Sequence, residues 1–112
     1  MENYIYYNNL YDCYQKLLTE KQRIYFEEYY FNNLSLGEIS ENLNISRNAV
    51  HKSLQSVEEK LQFYEEKLKL YKKSKIIYDI IDKESSQEIK RILKEMILED
   101  EIYGWKRFTS RN

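Results

Sequence analysis

Six polar residues within ten positions carry side chains suited to reading nucleic-acid bases. They are Ser46, Arg47, Asn48, His51, Lys52 and Gln55. Arginine and lysine recognise guanine, and asparagine and glutamine recognise adenine, through the base edges in the major groove. The residues between them are small or apolar: Ala49, Val50, Ser53 and Leu54. On a helix the second set faces inward and the first set faces outward, so the pattern indicates a nucleic-acid-binding helix.

Catalytic or metal-binding chemistry finds little support in the sequence. His51 and Cys13 are the only histidine and cysteine, and a metal site needs several such ligands. There is neither a glycine-rich phosphate loop nor a nucleophile elbow. The sequence predicts a protein that is not an enzyme and holds no cofactor. Cys13 is expected to be a small apolar residue, with a reactive thiol as the alternative. His51 is either a base or phosphate contact or an ordinary surface residue.

The elements that position the polar residues are predicted from apolar spacing. Leu36, Ile39 and Leu43 recur at helical intervals, and so do Val50 and Leu54. Between the two runs, Asn44 tolerates the left-handed conformation of a sharp turn, and Ser46 can cap the second helix. Ser40 is small where the two helices must cross. Residues 35–55 are therefore predicted to form a helix-turn-helix.

Capping signals predict where the helices begin. Thr19 with Gln22, and Ser35 with Glu38, have the spacing of capping boxes. Helices should start near residues 20, 36 and 47. The first of these should cover the helix-turn-helix with Ile24, Tyr25, Phe26, Tyr29 and Tyr30, and end at Asn32 and Asn33. An earlier helix, roughly 4–18, should complete this core with Tyr7, Leu10, Tyr11, Tyr14, Leu17 and Leu18.

A heptad seam of apolar residues begins among the reading residues and continues beyond them. It consists of Val50, Leu54, Val57, Leu61, Tyr64, Leu68 and Tyr71. Residues 46–75 include neither glycine nor proline, so one helix of about 45 Å is expected there. Its seam needs a partner, either C-terminal helices over about 76–100 or the same helix of a second subunit. We expect both, with a homodimer interface formed by Leu61, Tyr64, Leu68 and Tyr71.

The composition favours an all-α fold. The chain has 112 residues, no proline and two glycines, which disfavours sheets with tight hairpins. We expect one helical domain over 1–102, with a cap for its last helix at Ser85 or Ser86, and a tail over 103–112. The tail combines aromatic and basic residues, which suits either RNA stacking or a frayed end anchored by Trp105. No long apolar stretch or signal peptide is recognisable, so a soluble, cytoplasmic protein is expected.

Charge is distributed unevenly along the chain. The net charge is −1 overall, but it is −4 over residues 1–45, +4 over 46–75 and −1 over 76–112. The positive block begins with the predicted reading helix, as in a nucleic-acid footprint on an acidic protein. The alternative is that its lysines solvate a long helix and pair with the glutamates of the same block. These are Lys60, Lys67, Lys69, Lys72, Lys73 and Lys75, against Glu58, Glu59, Glu65 and Glu66.

The run YYFNNLSLGEISENLNISRNAVHKSL, residues 29–54, resembles the YlxM family of small bacterial helix-turn-helix proteins. Its module is similar to region 4 of sigma factors, and the resemblance extends over roughly residues 5–98. Ser40 and Asn44 stand where alanine and glycine are usual, and both are conformationally acceptable. The resemblance implies association with the signal recognition particle, because the family's genes typically lie beside those of the particle's GTPase subunit or its receptor.

Two functions follow as expectations. The first is a regulatory protein that binds nucleic acid through its helix-turn-helix and is associated with the signal recognition particle pathway. The second is an accessory factor that docks on the particle's RNA or protein without sequence-specific DNA binding. The major groove of A-form RNA is too narrow for a helix, so the second mode would depend on phosphates and shape.

Overall fold

The computed structural model describes residues 4–96, and all regular structure within them is helical. Helix α1 spans Tyr4–Tyr14 and is followed by a 3₁₀ turn over Gln15–Leu17. The others are α2 (Glu20–Tyr30), α3 (Leu36–Leu43), α4 (Arg47–Leu68), α5 (Leu70–Lys83) and α6 (Gln87–Met96). The predicted all-α fold is confirmed. The predicted tail over 103–112 lies outside the described residues.

Both predicted capping boxes form. The Thr19 hydroxyl accepts the Gln22 N–H at 3.1 Å, and the Gln22 side chain accepts the Thr19 N–H at 2.9 Å. Likewise, the Ser35 hydroxyl accepts the Glu38 N–H at 3.1 Å, and the Glu38 carboxylate accepts the Ser35 N–H at 3.0 Å. Each pair satisfies two backbone N–H groups that a helix start leaves without partners. The predicted starts of α2 and α3 are therefore confirmed.

The turn between α3 and α4 has the predicted chemistry. Asn44 is left-handed, with φ 55° and ψ 48°, and the Ser46 hydroxyl accepts the Ala49 N–H at 3.0 Å. The Ser40 hydroxyl donates to the Ile45 carbonyl at 2.7 Å. Ser40 thus provides a bond across the turn that alanine cannot make. The helix-turn-helix predicted over 35–55 is confirmed.

Two clusters of buried side chains hold the helices together. The reading-unit core lies under the helix-turn-helix and contains Tyr25, Ile39, Val50 and Leu54. The base core lies beneath the second half of α4 and contains Leu10, Tyr11, Tyr14, Leu18, Phe26, Tyr30, Val57 and Leu61. Helices α2 and α4 contribute to both, so they connect the reading unit to the rest of the chain.

The single helix predicted over 46–75 is wrong, because the chain bends at Lys69. Lys69 is left-handed, with φ 56° and ψ 32°, and separates α4 from α5. Side chains from α1 and α4 stabilise the bend. The Tyr14 hydroxyl accepts the Leu70 N–H at 2.9 Å. The Glu65 carboxylate accepts the Tyr71 and Lys72 N–H groups, both at 3.1 Å. These side chains satisfy the backbone donors at the start of α5.

The prediction for the first helix is partly wrong. Helix α1 ends at Tyr14, and Leu17 in the following turn is 48% exposed. The helix contributes to the base core and supports the reading unit only through α2 and α4. Ile24, predicted to lie over the helix-turn-helix, is exposed on α2.

The burial of the heptad seam corrects the predicted dimer contacts. Leu61 is fully buried in the base core, because α1 covers that side of α4. Tyr64 and Tyr71 pack against the same core within one chain. Leu68 is 44% exposed. Leu61 is therefore unavailable to a second subunit in this fold.

Helices α5 and α6 pack against each other, with α6 beginning after Ser86. The Ser86 hydroxyl accepts the Ile89 N–H at 3.3 Å, which confirms the cap predicted near this position. An apolar face of the pair is left open, formed by Ile76, Ile80, Ile89, Ile92 and Met96. Within the described residues, α5 and α6 therefore do not bury all of their apolar side chains.

Candidate nucleic-acid interface

The outer face of α4 carries the predicted reading residues. All six are exposed: Ser46, Arg47, Asn48, His51, Lys52 and Gln55. Val50 and Leu54 are buried in the reading-unit core, while Ala49 and Ser53 are half-buried beside it. The N-terminal turns of α4 therefore present polar side chains on a helix held firmly from behind, as a major-groove reading helix requires.

Arg47 lies where the N-termini of α3 and α4 come together. A β-carbon added at Gly37 would lie 3.6 Å from Arg47 Nε and 3.8 Å from its Cζ. These are ordinary contact distances, so the guanidinium rests on the first turn of α3 while the side chain remains exposed. The position of Arg47 is thus defined by the helix-turn-helix itself, a contact that spacing alone does not reveal.

The lysines of 60–75 do not form the ion pairs that the alternative interpretation required. Within residues 4–96, no salt bridge joins them to Glu58, Glu59, Glu65 or Glu66. Two of these glutamates accept hydrogen bonds from tyrosines instead. Tyr30 donates to Glu58, and Tyr14 donates to Glu65 at 2.6 Å. The positive charge of this block is therefore not cancelled by local pairing.

The lysines fall into two groups by position. Lys60 lies toward α2, where its ammonium donates to Gln22 at 3.3 Å. The other five are exposed around the bend between α4 and α5: Lys67, Lys69, Lys72, Lys73 and Lys75. We call these five the bend lysines. They form a second basic surface at the end of α4 opposite the reading residues.

Metal-binding clusters and membrane-spanning helices are both absent from the described part of the chain. Among residues 4–96, no group of three or more histidine, cysteine, aspartate or glutamate side chains could hold a metal ion. None of the helices described there is long and apolar enough to cross a membrane.

Comparison with known proteins supports this emphasis on the helix-turn-helix. The profile of a family described as helix-turn-helix proteins, YlxM / p13 like, matches residues 1–100. The UPF0122 protein of Thermoanaerobacter sp. (strain X514) is 52% identical over 54 residues, which are 48% of this chain and 46% of the relative. The UPF0122 protein of Bacillus thuringiensis (strain Al Hakam) is 52% identical over 48 residues, 43% of this chain and 44% of the relative. The chain thus spans less than half the length of these curated relatives.

Proposed function

Because the chain belongs to the YlxM / p13-like family of helix-turn-helix proteins, we propose that it is a cytoplasmic regulatory protein that binds nucleic acid through α4. One observation carries the proposal. Every residue predicted to read bases is exposed, while Val50 and Leu54 between them are buried in the reading-unit core. In this mode the first turns of α4 enter the major groove of duplex DNA. Arg47 and Asn48 then meet base edges, and Lys52 meets a phosphate.

The bend lysines give the proposed footprint a second part. Helix α4 has 22 residues, so it is about 33 Å long at 1.5 Å per residue. This length is close to the roughly 34 Å of one turn of duplex DNA. The bend lysines can therefore contact phosphates at a distance from the reading residues, where they add affinity without sequence preference.

Association with the signal recognition particle is the other part of the proposal, and it is supported by the resemblance to the family. In the second candidate function, the protein docks on the particle's RNA, its GTPase subunit or the receptor, and it does not bind DNA sequence-specifically. The bend lysines favour this second candidate, because a basic surface away from the reading residues can contact phosphates without reading base edges. The two candidates differ in whether Arg47 discriminates between sequences.

We also propose that the protein is a homodimer, with an interface different from the one first predicted. The open apolar face of α5 and α6 supports this, since Ile76 is 52% and Met96 70% exposed. Isoleucines four apart on α5, and three apart on α6, line one side of each helix. Exposed faces of this kind mark association surfaces in small proteins. A second copy would cover the face with the same two helices.

The test compares binding to duplex DNA and to the particle's RNA over a range of salt concentrations. Arg47→Ala should cost about 1–3 kcal/mol on the preferred DNA site and relax specificity. Lys52→Ala should weaken all sequences alike and lower the salt slope by about one. If the protein serves only the particle, both changes weaken RNA binding without sequence preference.

Lys21→Ala is the matched control, because Lys21 is exposed on α2 outside both basic surfaces. It should leave both affinities unchanged. If Arg47→Ala and Lys52→Ala bind DNA and RNA as tightly as the unmodified protein does, the outer face of α4 has no reading function, and the proposal is wrong.

A further inference from the structure

An acidic groove runs along α4 immediately after the reading residues. It has a volume of about 380 Å³ and begins at Gln55. Its other lining residues are Tyr7, Glu58, Glu59, Gln62, Phe63 and Glu66. Three carboxylates and two aromatic rings thus share one open surface, on the same helix as the basic reading residues.

The walls of the groove are held in place by other contacts. Gln62 accepts the Tyr6 hydroxyl at 3.2 Å and donates to the Tyr7 hydroxyl at 3.4 Å. Glu58 accepts the hydroxyl of Tyr30. These bonds fix the side of the groove that faces α1 and α2, so the groove is a preformed surface.

The open side of the groove exposes both negative charge and apolar area. Phe63 is 54% exposed, and its neighbouring cation is Lys67, with Nζ 5.7 Å from the ring centroid. Glu59 and Glu66 are exposed, and within residues 4–96 neither carboxylate forms a salt bridge. A ligand for this surface must therefore combine positive charge with an apolar or aromatic group.

The chemistry of the groove excludes two classes of ligand. Carboxylates repel the phosphates of a nucleic acid. The acidic side chains do not form a cluster that could hold a metal ion within the described chain. Lysine, arginine and aromatic side chains on a peptide segment match it, through ion pairs, ring contacts and cation–π contacts.

We propose that the occupant is the chain's own C-terminal segment, residues 103–112, of sequence YGWKRFTSRN. It supplies three cations and two further aromatic rings: Lys106, Arg107, Arg111, Trp105 and Phe108. Three cations match the three carboxylates of the groove in number. Trp105 or Phe108 matches the exposed ring of Phe63.

The stretch of chain that follows α6 determines how far the segment can extend. Trp105 follows Met96, the last described residue, by nine positions, which can extend about 30 Å at 3.3 Å per residue. The molecule measures 54 × 26 × 24 Å. A segment starting at the end of α6 can therefore span either of the two shorter dimensions of the molecule.

Docking there would change the electrostatics beside the reading residues. The groove begins at Gln55, so its carboxylates lie next to the face proposed to meet phosphates. Cations of the segment would neutralise them at that position. The binding of the segment itself does not depend on nucleic acid, and its test needs none.

Trp105 is the only tryptophan, so its fluorescence reports on the segment alone. In the full chain, its emission should be shifted to the blue, and acrylamide should quench it less than in a synthetic peptide of residues 97–112. Reversing two groove charges, Glu59→Lys with Glu66→Lys, should shift the emission to the red and raise quenching to the level of the peptide. Glu20→Lys with Glu41→Lys makes the same charge change at exposed positions outside the groove and should change neither.

A second variant tests the aromatic contact without changing charge. Phe63→Ala should also raise the quenching of Trp105, whereas Ile24→Ala, at an exposed apolar position on α2, should not. Both residues are exposed, so both variants should keep the melting transition. Quenching of Trp105 in the unmodified chain as strong as in the peptide would overturn the proposal. So would groove variants that leave it unchanged, or protection that disappears on dilution, which would assign the groove to the segment of a second copy.

Discussion

Tyr14 and Tyr30 connect the helices through hydrogen bonds to carboxylates. Tyr14 donates to Glu65, and Tyr30 donates to Glu58. Burial raises the pKa of both hydroxyls well above the usual range, and the neighbouring glutamate raises it further. The cause is that a tyrosinate would lie in a poorly solvated site beside a negative charge. The neutral hydroxyl is thus the form that the fold stabilises.

This arrangement predicts a loss of stability at alkaline pH. Each pKa is higher in the folded than in the unfolded chain, where it is about 10. The stabilisation is therefore complete below about pH 10 and is lost as the pH rises towards the folded pKa. Urea unfolding over a pH series should show this fall, and Tyr30→Phe should make it shallower.

Tyr4→Phe is the control for that series, because it removes a tyrosine hydroxyl and leaves both glutamate bonds in place. It should retain the slope of the unmodified protein. A free energy of unfolding that stays constant through alkaline pH, or that falls equally in Tyr30→Phe, would contradict the assignment.

Asn44 permits a second prediction at this scale, because its φ of 55° is costly for most side chains. Asn44→Val should destabilise the protein by roughly 1–2 kcal/mol, since a β-branched side chain is strongly disfavoured in the left-handed region and lacks the short polar group that lets asparagine adopt it. Asn44→Gly should be nearly neutral, because glycine adopts this conformation without that penalty. Chemical unfolding of the two variants measures the difference. Equal stability of the two would show that the turn relaxes instead.

At the scale of helices and turns, the features that depend only on residues close together in sequence were predictable. The capping boxes at Thr19 and Ser35, the left-handed Asn44 and the exposed face of α4 all depend on residues a few positions apart. The bend at Lys69 depends on Tyr14 and Glu65, which are 51 positions apart. The heptad seam continues through the bend, so periodicity carries no sign of it.

Dependence on residues far apart in sequence also explains why Leu61 was wrongly predicted to lie in a homodimer interface. Its spacing identifies a buried position but does not say which helix buries it. The structure shows that α1 covers it within one chain. The exposure of the six reading residues could be predicted from spacing, because an exposed side chain does not depend on which helix packs nearby.

Deletion of residues 1–18 tests the role of α1. It removes Leu10, Tyr11, Tyr14 and Leu18, which are half of the buried residues of the base core. Phe26, Val57 and Leu61 would then meet water, so the truncated protein should lose its cooperative thermal transition. Deletion of residues 1–3 is the matched control and should melt as the unmodified chain does. A sharp transition in the longer truncation would show that the reading unit folds without α1.

For the molecule as a whole, the structure separates the residues that stabilise one chain from those proposed to join two. Leu61→Ala should cost about 2–5 kcal/mol, equally at all protein concentrations, because its contacts lie within one chain. Ile80→Lys should leave the fold intact and reduce self-association, because Ile80 lies on the open face of α5 and α6. Sedimentation combined with chemical unfolding measures both. A folded wild-type monomer at micromolar concentration would contradict the dimer.

The base core also has a consequence for synthesis on the ribosome. Tyr14 leaves the ribosome before its partner Glu65, which is 51 positions later in the chain. At 5–20 residues per second, that interval lasts roughly 3–10 s. Throughout it, the apolar side chains of α1 have no native partner on α4. During this interval α1 is therefore open to chaperones, and the reading unit cannot gain its support until α4 is complete.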